Sequence, residues 1–389
     1  METDKNMRVA AFRSFLEVKA GAQGAFLNMM VSLGKRGHKI DVFALNMSDE
    51  FKKALGSSNI GVTCLNFREL KFRFINPWLR IVNEFRAALL YRGLAQKINK
   101  EYDIVFVDHL DYSPLVLLVV KIPKIYYCYE PPRPYYEPRL NNGRRISRML
   151  TVVPFLVDKL LDKYCAQHAD LILSNSDYSR EYTWRSYGIF PVTNCLGVDL
   201  QKYRKLPLTK ENLVLSVGVI HPLKAHDFVI RSLGLVPADK RPKLVVIAYR
   251  AHEREKQRLF DLAATSGVDL EIKDYISHDE FLELHNRAKV VAVAYVMEPS
   301  VEPVALACET PIVAVREGGA RETIVHGETG LLVGRDEAEF AKAIESLLDN
   351  PKKAAEMGRK GREWIEKNFT WEKCAEDLEK NLRRALNRR

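Results

Sequence analysis

The sequence contains no CxxC pair, no GxGxxG run and no GxxxxGK[ST] run. It also has no apolar stretch near the ~20 residues that a membrane-spanning helix needs. Each absence excludes a class of chemistry. The six cysteines, Cys64, Cys128, Cys165, Cys195, Cys308 and Cys374, are widely scattered with no histidine cluster beside them. That pattern argues for reduced thiols filling cores in a cytosolic compartment, and against a zinc site. "GAQGAF" at 21–26 has the wrong spacing for a dinucleotide fingerprint, so a nicotinamide dehydrogenase loses its usual support, as does a P-loop ATPase. The most apolar run, "PLVLLVV" at 114–120, is far too short to span a bilayer, and "METDKNMRVAAF" lacks the core of a secretory signal. No Asp-x-Asp pair stands at the end of a candidate strand, so metal clamping of a diphosphate is not expected.

What is present is a globular composition, 47% apolar and 28% charged, over 389 residues, enough for two or three cores. Short β-branched runs, apolar on both faces, alternate with amphipathic stretches, the pattern of buried parallel strands in βαβ units. In the first half they are "MRVAAF" (7–12), "HKIDVFAL" (38–45), "YDIVFVDH" (102–109), "PKIYYCY" (123–129) and "ADLILSNS" (169–176). After the polar stretch "VDLQKYRKLPLTKE" a second series follows: 212–219, 242–249, 268–275, 288–295, 310–315 and 329–333. The expectation is an α/β chain with two doubly wound Rossmann-like domains, 1–205 and 206–368, facing a deep cleft. A charged amphipathic helix at 369–389 is able to cross back to the first domain. Ligands in such sheets bind at the carboxyl ends of strands.

The net charge of +10 is uneven. Residues 1–205 carry 31 Lys/Arg against 20 Asp/Glu, and the rest carry 29 against 30. The first half therefore faces something anionic. Within it, residues 67–100 hold eight Lys/Arg, two Glu and six aromatics, and Trp78, Val82, Phe85 and Leu89 share one helical face. Two readings stay open: an anionic membrane interface, or a core-packing helix with a solvated basic face. Arg139, Arg144, Arg145 and Arg148, ahead of an apolar stretch within 139–160, add to the first. Nucleic acid is not expected, since no nucleic-acid fold signature accompanies the charge.

Several segments in order, "GAQGAFLNMMVSLGKRGHKIDVF", "ADLILSNSDYSREYTWRSYGI", "SVGVIHPLKAHDFVIRSL", "VMEPSVEPVALACETPIVAV" and "VREGGARETIVHGETGLLV", resemble the retaining glycosyltransferases of family 4, with the GT-B fold. The resemblance implies transfer of a sugar from a UDP- or GDP-sugar, without a cofactor or metal, to a glycan or lipid-linked acceptor. The place of action would be the cytoplasm or the inner face of the cell membrane. It implies Lys224 and Glu298 as the catalytic pair, since leaving-group charge grows on the departing diphosphate and needs a cation. The donor would also meet Gly218, His221, Glu302, Gly318, Gly319 and Glu322, and the acceptor Gly21, Ala22, Tyr129, Glu130 and Arg133. Departures concentrate at the site. Val219 stands where an arginine is usual, Tyr129 for a histidine, Ala22 for the second glycine, and Val304 where the second glutamate should fall. Two alternatives stay open: a nucleotide-sugar-binding or scaffold protein without turnover, and a nucleotide-sugar epimerase of the same fold.

Overall fold

Residues alternate strictly between two sides along the first strand, Arg8–Phe12: Val9 and Ala11 enter one core, Ala10 and Phe12 the other. A strand that is apolar on both sides needs helices on both sides, and that requirement organises the whole first unit. The computed structural model describes residues 6–17, 21–70, 77–109, 111–137, 148–248 and 253–388. The chain divides into two units, Met1–Gly197 with Trp371–Arg389, and Val198–Thr370.

The first unit is built on a seven-stranded parallel sheet. Its spatial order is Gly61–Cys64, Lys39–Ala44, Arg8–Phe12, Ile104–Asp108, Lys124–Tyr127, Leu171–Ser174 and Val192–Thr193. The edge strands Gly61–Cys64 and Val192–Thr193 are half-buried and lack the apolar run that announces the other five. Helices Gly21–Lys35 and Trp371–Leu386 pack together over one face, where Phe26, Met30, Leu378 and Leu382 are buried. Glu379 fixes the second of these to the first, 2.6 Å from Arg36 and 3.4 Å from His38, and its carboxyl is held down to about 2. Helices Pro77–Glu101 and Arg148–Gln167 cover the other face.

The Pro77 helix packs on the core, as one of the two sequence readings expects, but not through the expected face. Trp78, Val82, Phe85 and Leu89 are 48, 43, 65 and 52% exposed, so this stripe does not pack on the core. The buried face carries Asn83, Glu84, Ala87 and Tyr91 instead. Arg139, Arg144 and Arg145 lie outside the described residues, and the side chain of Arg148 is likewise not described.

The second unit holds a six-stranded parallel sheet in the order Leu270–Asp274, Lys243–Ala248, Glu211–Val217, Ala288–Val293, Ile312–Val315 and Gly330–Val333. It begins at Val198 rather than after 205, because Arg362 donates to the carbonyls of Leu200 and Tyr203 while Lys205 pairs with Glu309 at 2.6 Å. Among the described residues no helix is long and apolar enough to cross a membrane.

Candidate active site

In the second unit the winding of the sheet reverses between Glu211–Val217 and Ala288–Val293, the position where doubly wound sheets leave a crevice. Those two strands and their neighbour Ile312–Val315 deliver at their carboxyl ends every residue singled out in this half. Gly218, His221 and Lys224 follow the first; Glu298 and Glu302 follow the second; Gly318, Gly319 and Glu322 follow the third.

Gly218 has φ of +154°, and a Cβ there would stand 2.9 Å from Cδ and 3.0 Å from Cγ of Lys224. Glycine is therefore what lets the lysine stem lie along the backbone. His221 starts the short turn Pro222–Lys224 by accepting from the Leu223 N–H at 3.2 Å. The Lys224 ammonium sits 4.0 Å from the centre of the Tyr295 ring, a cation–π contact. Sequence reasoning passed over Tyr295, reading it as the last apolar residue of a strand. Its hydroxyl donates to Glu302 Oε2 at 3.0 Å, so one side chain touches both the cation and a carboxylate.

Glu302 is fully buried at the first position of helix Glu302–Ala307. Its Oε2 also accepts from the N–H groups of Ser300 and Val301, at 3.0 and 3.1 Å. The carboxylate folds back onto the loop before it rather than capping from outside. Burial raises its pKa, while these donors and the field of Lys224 pull it down. Its Oε1 is buried without a partner, as is Oε2 of Glu298. Two unanswered carboxylate oxygens close to the same three strand ends are a costly arrangement unless something else donates to them.

The glycine pair fixes the Glu298 loop. Gly318 has φ of +58°, and the Gly319 N–H donates to the Met297 carbonyl at 2.8 Å. A Cβ on Gly319 would fall 2.2 Å from Pro299 Cδ. Glu322 lies half-buried in the short helix Ala320–Thr323. In a separate groove of about 640 Å³, lined by Asp227, Arg231, Arg335 and Glu337, Arg231 pairs with both Asp227 and Glu337, and Arg335 pairs with Glu317 outside the lining.

The first unit reverses its winding between Arg8–Phe12 and Ile104–Asp108. There Arg13 and Asp108, 3% and 0% exposed, form an ion pair that sequence reasoning missed. The same Arg13 nitrogen donates to the Ala22 carbonyl at 3.2 Å, and Tyr129 donates to that carbonyl at 3.3 Å. Ala22 and Gly21 stand in the first turn of helix Gly21–Lys35, with Gly21 at φ of +53°, so what was expected as loop is already helix. Burial pushes the Tyr129 hydroxyl up, away from any role as a base near neutral pH. Burial and Arg13 press His109, which meets the Tyr126 ring, down to about 3, and this keeps that imidazole neutral. Glu130 and Arg133 form a two-pronged pair at 2.6 and 2.8 Å, and Arg133 also donates to Tyr178 at 3.0 Å. The guanidinium expected to grip an acceptor phosphate is thus engaged by its own loop.

Residues 199–364 match a family model described as Glycosyl transferases group 1. The chain is 29% identical over 240 residues to a D-inositol 3-phosphate glycosyltransferase of Rhodococcus jostii (strain RHA1), covering 56% of this chain and 53% of that protein. It is 27% identical over 331 residues to an alpha-maltose-1-phosphate synthase of Mycolicibacterium smegmatis, covering 77% and 84%. The chain spans about half the length of the inositol phosphate relatives it matches. Among solved structures, sucrose-phosphate synthase from Thermosynechococcus elongatus superposes with a TM-score of 0.75 at 17% identity, over 99% of this chain and 100% of that one. Anabaena HepE in complex with UDP and glucose gives 0.71 at 16%, over 97% and 99%. The fold is the GT-B fold of these glycosyltransferases, and over residues 199–364 the resemblance drawn from the sequence is matched by the family model.

Proposed function

We propose, taking residues 199–364 as a glycosyl transferases group 1 domain, that the protein moves a sugar from a nucleotide-sugar to an acceptor with retention of configuration. The second unit holds the donor, a UDP- or GDP-sugar; solved relatives of this fold carry UDP and UDP-glucose. The first unit holds the acceptor, a glycan or lipid-linked precursor met at the cytoplasmic face of a membrane. The observation that carries this reading is Lys224, its stem laid over Gly218 and its ammonium held against Tyr295 at the reversal of the sheet. As the glycosidic bond breaks, negative charge grows on the diphosphate, and a fixed cation stabilises that charge more than the ground state. Glu298 stands by the transferring sugar, on a loop held by Gly318 and Gly319. Rate comes from positioning and electrostatics, and the reading invokes no metal or cofactor.

A second reading, donor binding without turnover, is favoured by two observations. The place of a second cation is taken by Val219, 37% exposed, and Tyr129 is tied to the Ala22 carbonyl rather than poised as a base. Calorimetric titration with UDP- and GDP-sugars, followed by nucleotide release in the presence of glycan and lipid acceptors, separates the two. Tight binding, release of nucleotide, and about a hundredfold fall in release on Lys224→Ala support transfer. Binding without release selects the second reading, and no binding to any donor removes both.

A further inference from the structure

Helices Pro77–Glu101 and Arg148–Gln167 lie against each other in the first unit. Arg80 ties them together, 3.2 Å from Glu84 of its own helix and 3.2 Å from Asp158 of the other. Both helices bury one apolar face in the core, with Tyr91, Ile98, Cys165 and Ala166, and are unusual in what the rest of each carries. Their carboxylates point inward: Glu84 and Asp158 are 7% and 6% exposed, and Asp162 accepts from Tyr136 and Tyr187 at 3.0 and 3.1 Å. A second set of large apolar residues points outward, led by Phe85 at 65% and Leu160 at 67%, with Trp78, Leu89, Val153 and Leu156 all near half exposed.

In water this orientation runs against the transfer free energies on both sides, since apolar area stays wet while carboxylates lose their hydration. Single exposed apolar residues need no explanation, but a cluster does. Of the twenty large apolar side chains exposed among the described residues, five lie on the first helix and six on the second. Charge tells what covers them. Of the four acids on the two helices, only Glu101 is not drawn inward, whereas Arg86, Arg92, Lys97, Lys100, Lys159 and Lys163 remain toward the surface. A second copy docked through the same face would set cations against cations across a two-fold axis, which disfavours a dimer there. An apolar stripe bordered almost wholly by cations fits the boundary between acyl chains and anionic headgroups.

We infer that the outward face of these two helices is the surface by which the protein lies on an anionic lipid bilayer. The acids are drawn inward onto Arg80 and tyrosine hydroxyls, which strips the face of the charges that such a surface repels. The inference rests on the two helices and not on sugar transfer, so it stands or fails separately from the proposed activity. Vesicle flotation tests it with the full chain and two lipid mixtures, neutral phosphatidylcholine alone and phosphatidylcholine with phosphatidylglycerol. The wild type floats with the anionic vesicles and is released by salt. Phe85→Asp with Leu160→Asp, both at exposed positions, abolishes flotation with the unfolding curve unchanged. If that variant fails to fold, Leu89→Ser with Leu156→Ser serves the same purpose. Arg92→Glu with Lys163→Glu lowers recovery on anionic vesicles by roughly tenfold or more. Wild type that stays at the bottom with anionic vesicles overturns the inference, as does apolar-face substitution without loss. So does a concentration-dependent dimer that the Phe85→Asp and Leu160→Asp substitutions dissolve in the absence of flotation.

Discussion

Strands Arg8–Phe12 and Ile104–Asp108 in the first unit, and Glu211–Val217 and Ala288–Val293 in the second, are the neighbouring pairs at which each sheet reverses its winding. In the first unit, a cation from one strand end meets a carboxylate from the other, Arg13 on Asp108, and the pair is sealed beneath the first turn of helix Gly21–Lys35. In the second, the strand ends carry a glycine and a loop, and the cation is held by an aromatic ring in the field of a buried glutamate. The same architecture thus serves two purposes. One reversal is closed by its own charges and acts as a seat for a helix. Asp108 Oδ1 is left there without a donor, but the other reversal leaves such an oxygen on each of two carboxylates, Glu298 and Glu302, beside a cation held against an aromatic ring, which suits a site that a ligand completes.

The sharpest way to break this comparison is to remove each cation in turn. Arg13→Met leaves Asp108 buried and uncompensated, and denaturant unfolding should show a loss of about 3–5 kcal/mol. Lys224→Met, by contrast, should change stability by about 1 kcal/mol or less while weakening donor binding; equal losses of stability would erase the distinction. Next in size is Gly319→Ala. Its methyl collides with Pro299, so overpacking should cost about 1–3 kcal/mol and nucleotide-sugar affinity should fall as the Glu298 loop shifts. Tyr295→Phe keeps the ring under Lys224 but removes the donor to Glu302, with an expected stability loss of about 1–2 kcal/mol. Retained donor affinity together with slower nucleotide release would place Tyr295 as a positioning residue.

The smallest expected effect concerns pH and the carboxylates of the first unit. Burial and the neighbouring Asp158 push Glu84 up to about 7, and burial pushes Asp162 up to about 6. The folded state therefore prefers their neutral forms. Their contribution is present below the ordinary carboxylate range and is lost as pH rises toward 7. Glu84→Gln mimics the neutral form, so its melting temperature should match wild type at pH 4.5 and exceed it by a few degrees at pH 8. A gain of the same size at both values would rule out titration as the cause.

Much of the frame was legible because buried parallel strands announce themselves locally. Eleven apolar runs lie where eleven strands stand, and the missed edge strands Gly61–Cys64 and Val192–Thr193 are half-wet, with no such run. The loops of the second unit that are proposed to meet the donor were legible because glycines mark close backbone approaches, as at Gly218 and Gly319. Pairings between distant residues were not. Arg13 and Asp108 are 95 positions apart, and the one local hint is that each stands at the carboxyl end of an apolar strand. Lys224 and Tyr295 meet only because their strands are neighbours. The Pro77 helix shows most plainly what periodicity leaves open. The pattern gives two faces, but which one turns inward depends on Arg80, Asp158 and the tyrosines that receive the acids.

Helix Trp371–Leu386 belongs to the first unit although the whole second unit precedes it along the chain. On the ribosome this inverts the usual order of events, in which the earlier segment folds first. Residues 198–370 can complete their core as soon as they emerge. The amino-terminal sheet must wait, with Phe26, Met29 and Met30 uncovered, until Leu378 and Leu382 have been synthesised. Of the two units, the one begun earlier is thus the later to be finished, and during translation it is the one in greater need of a chaperone.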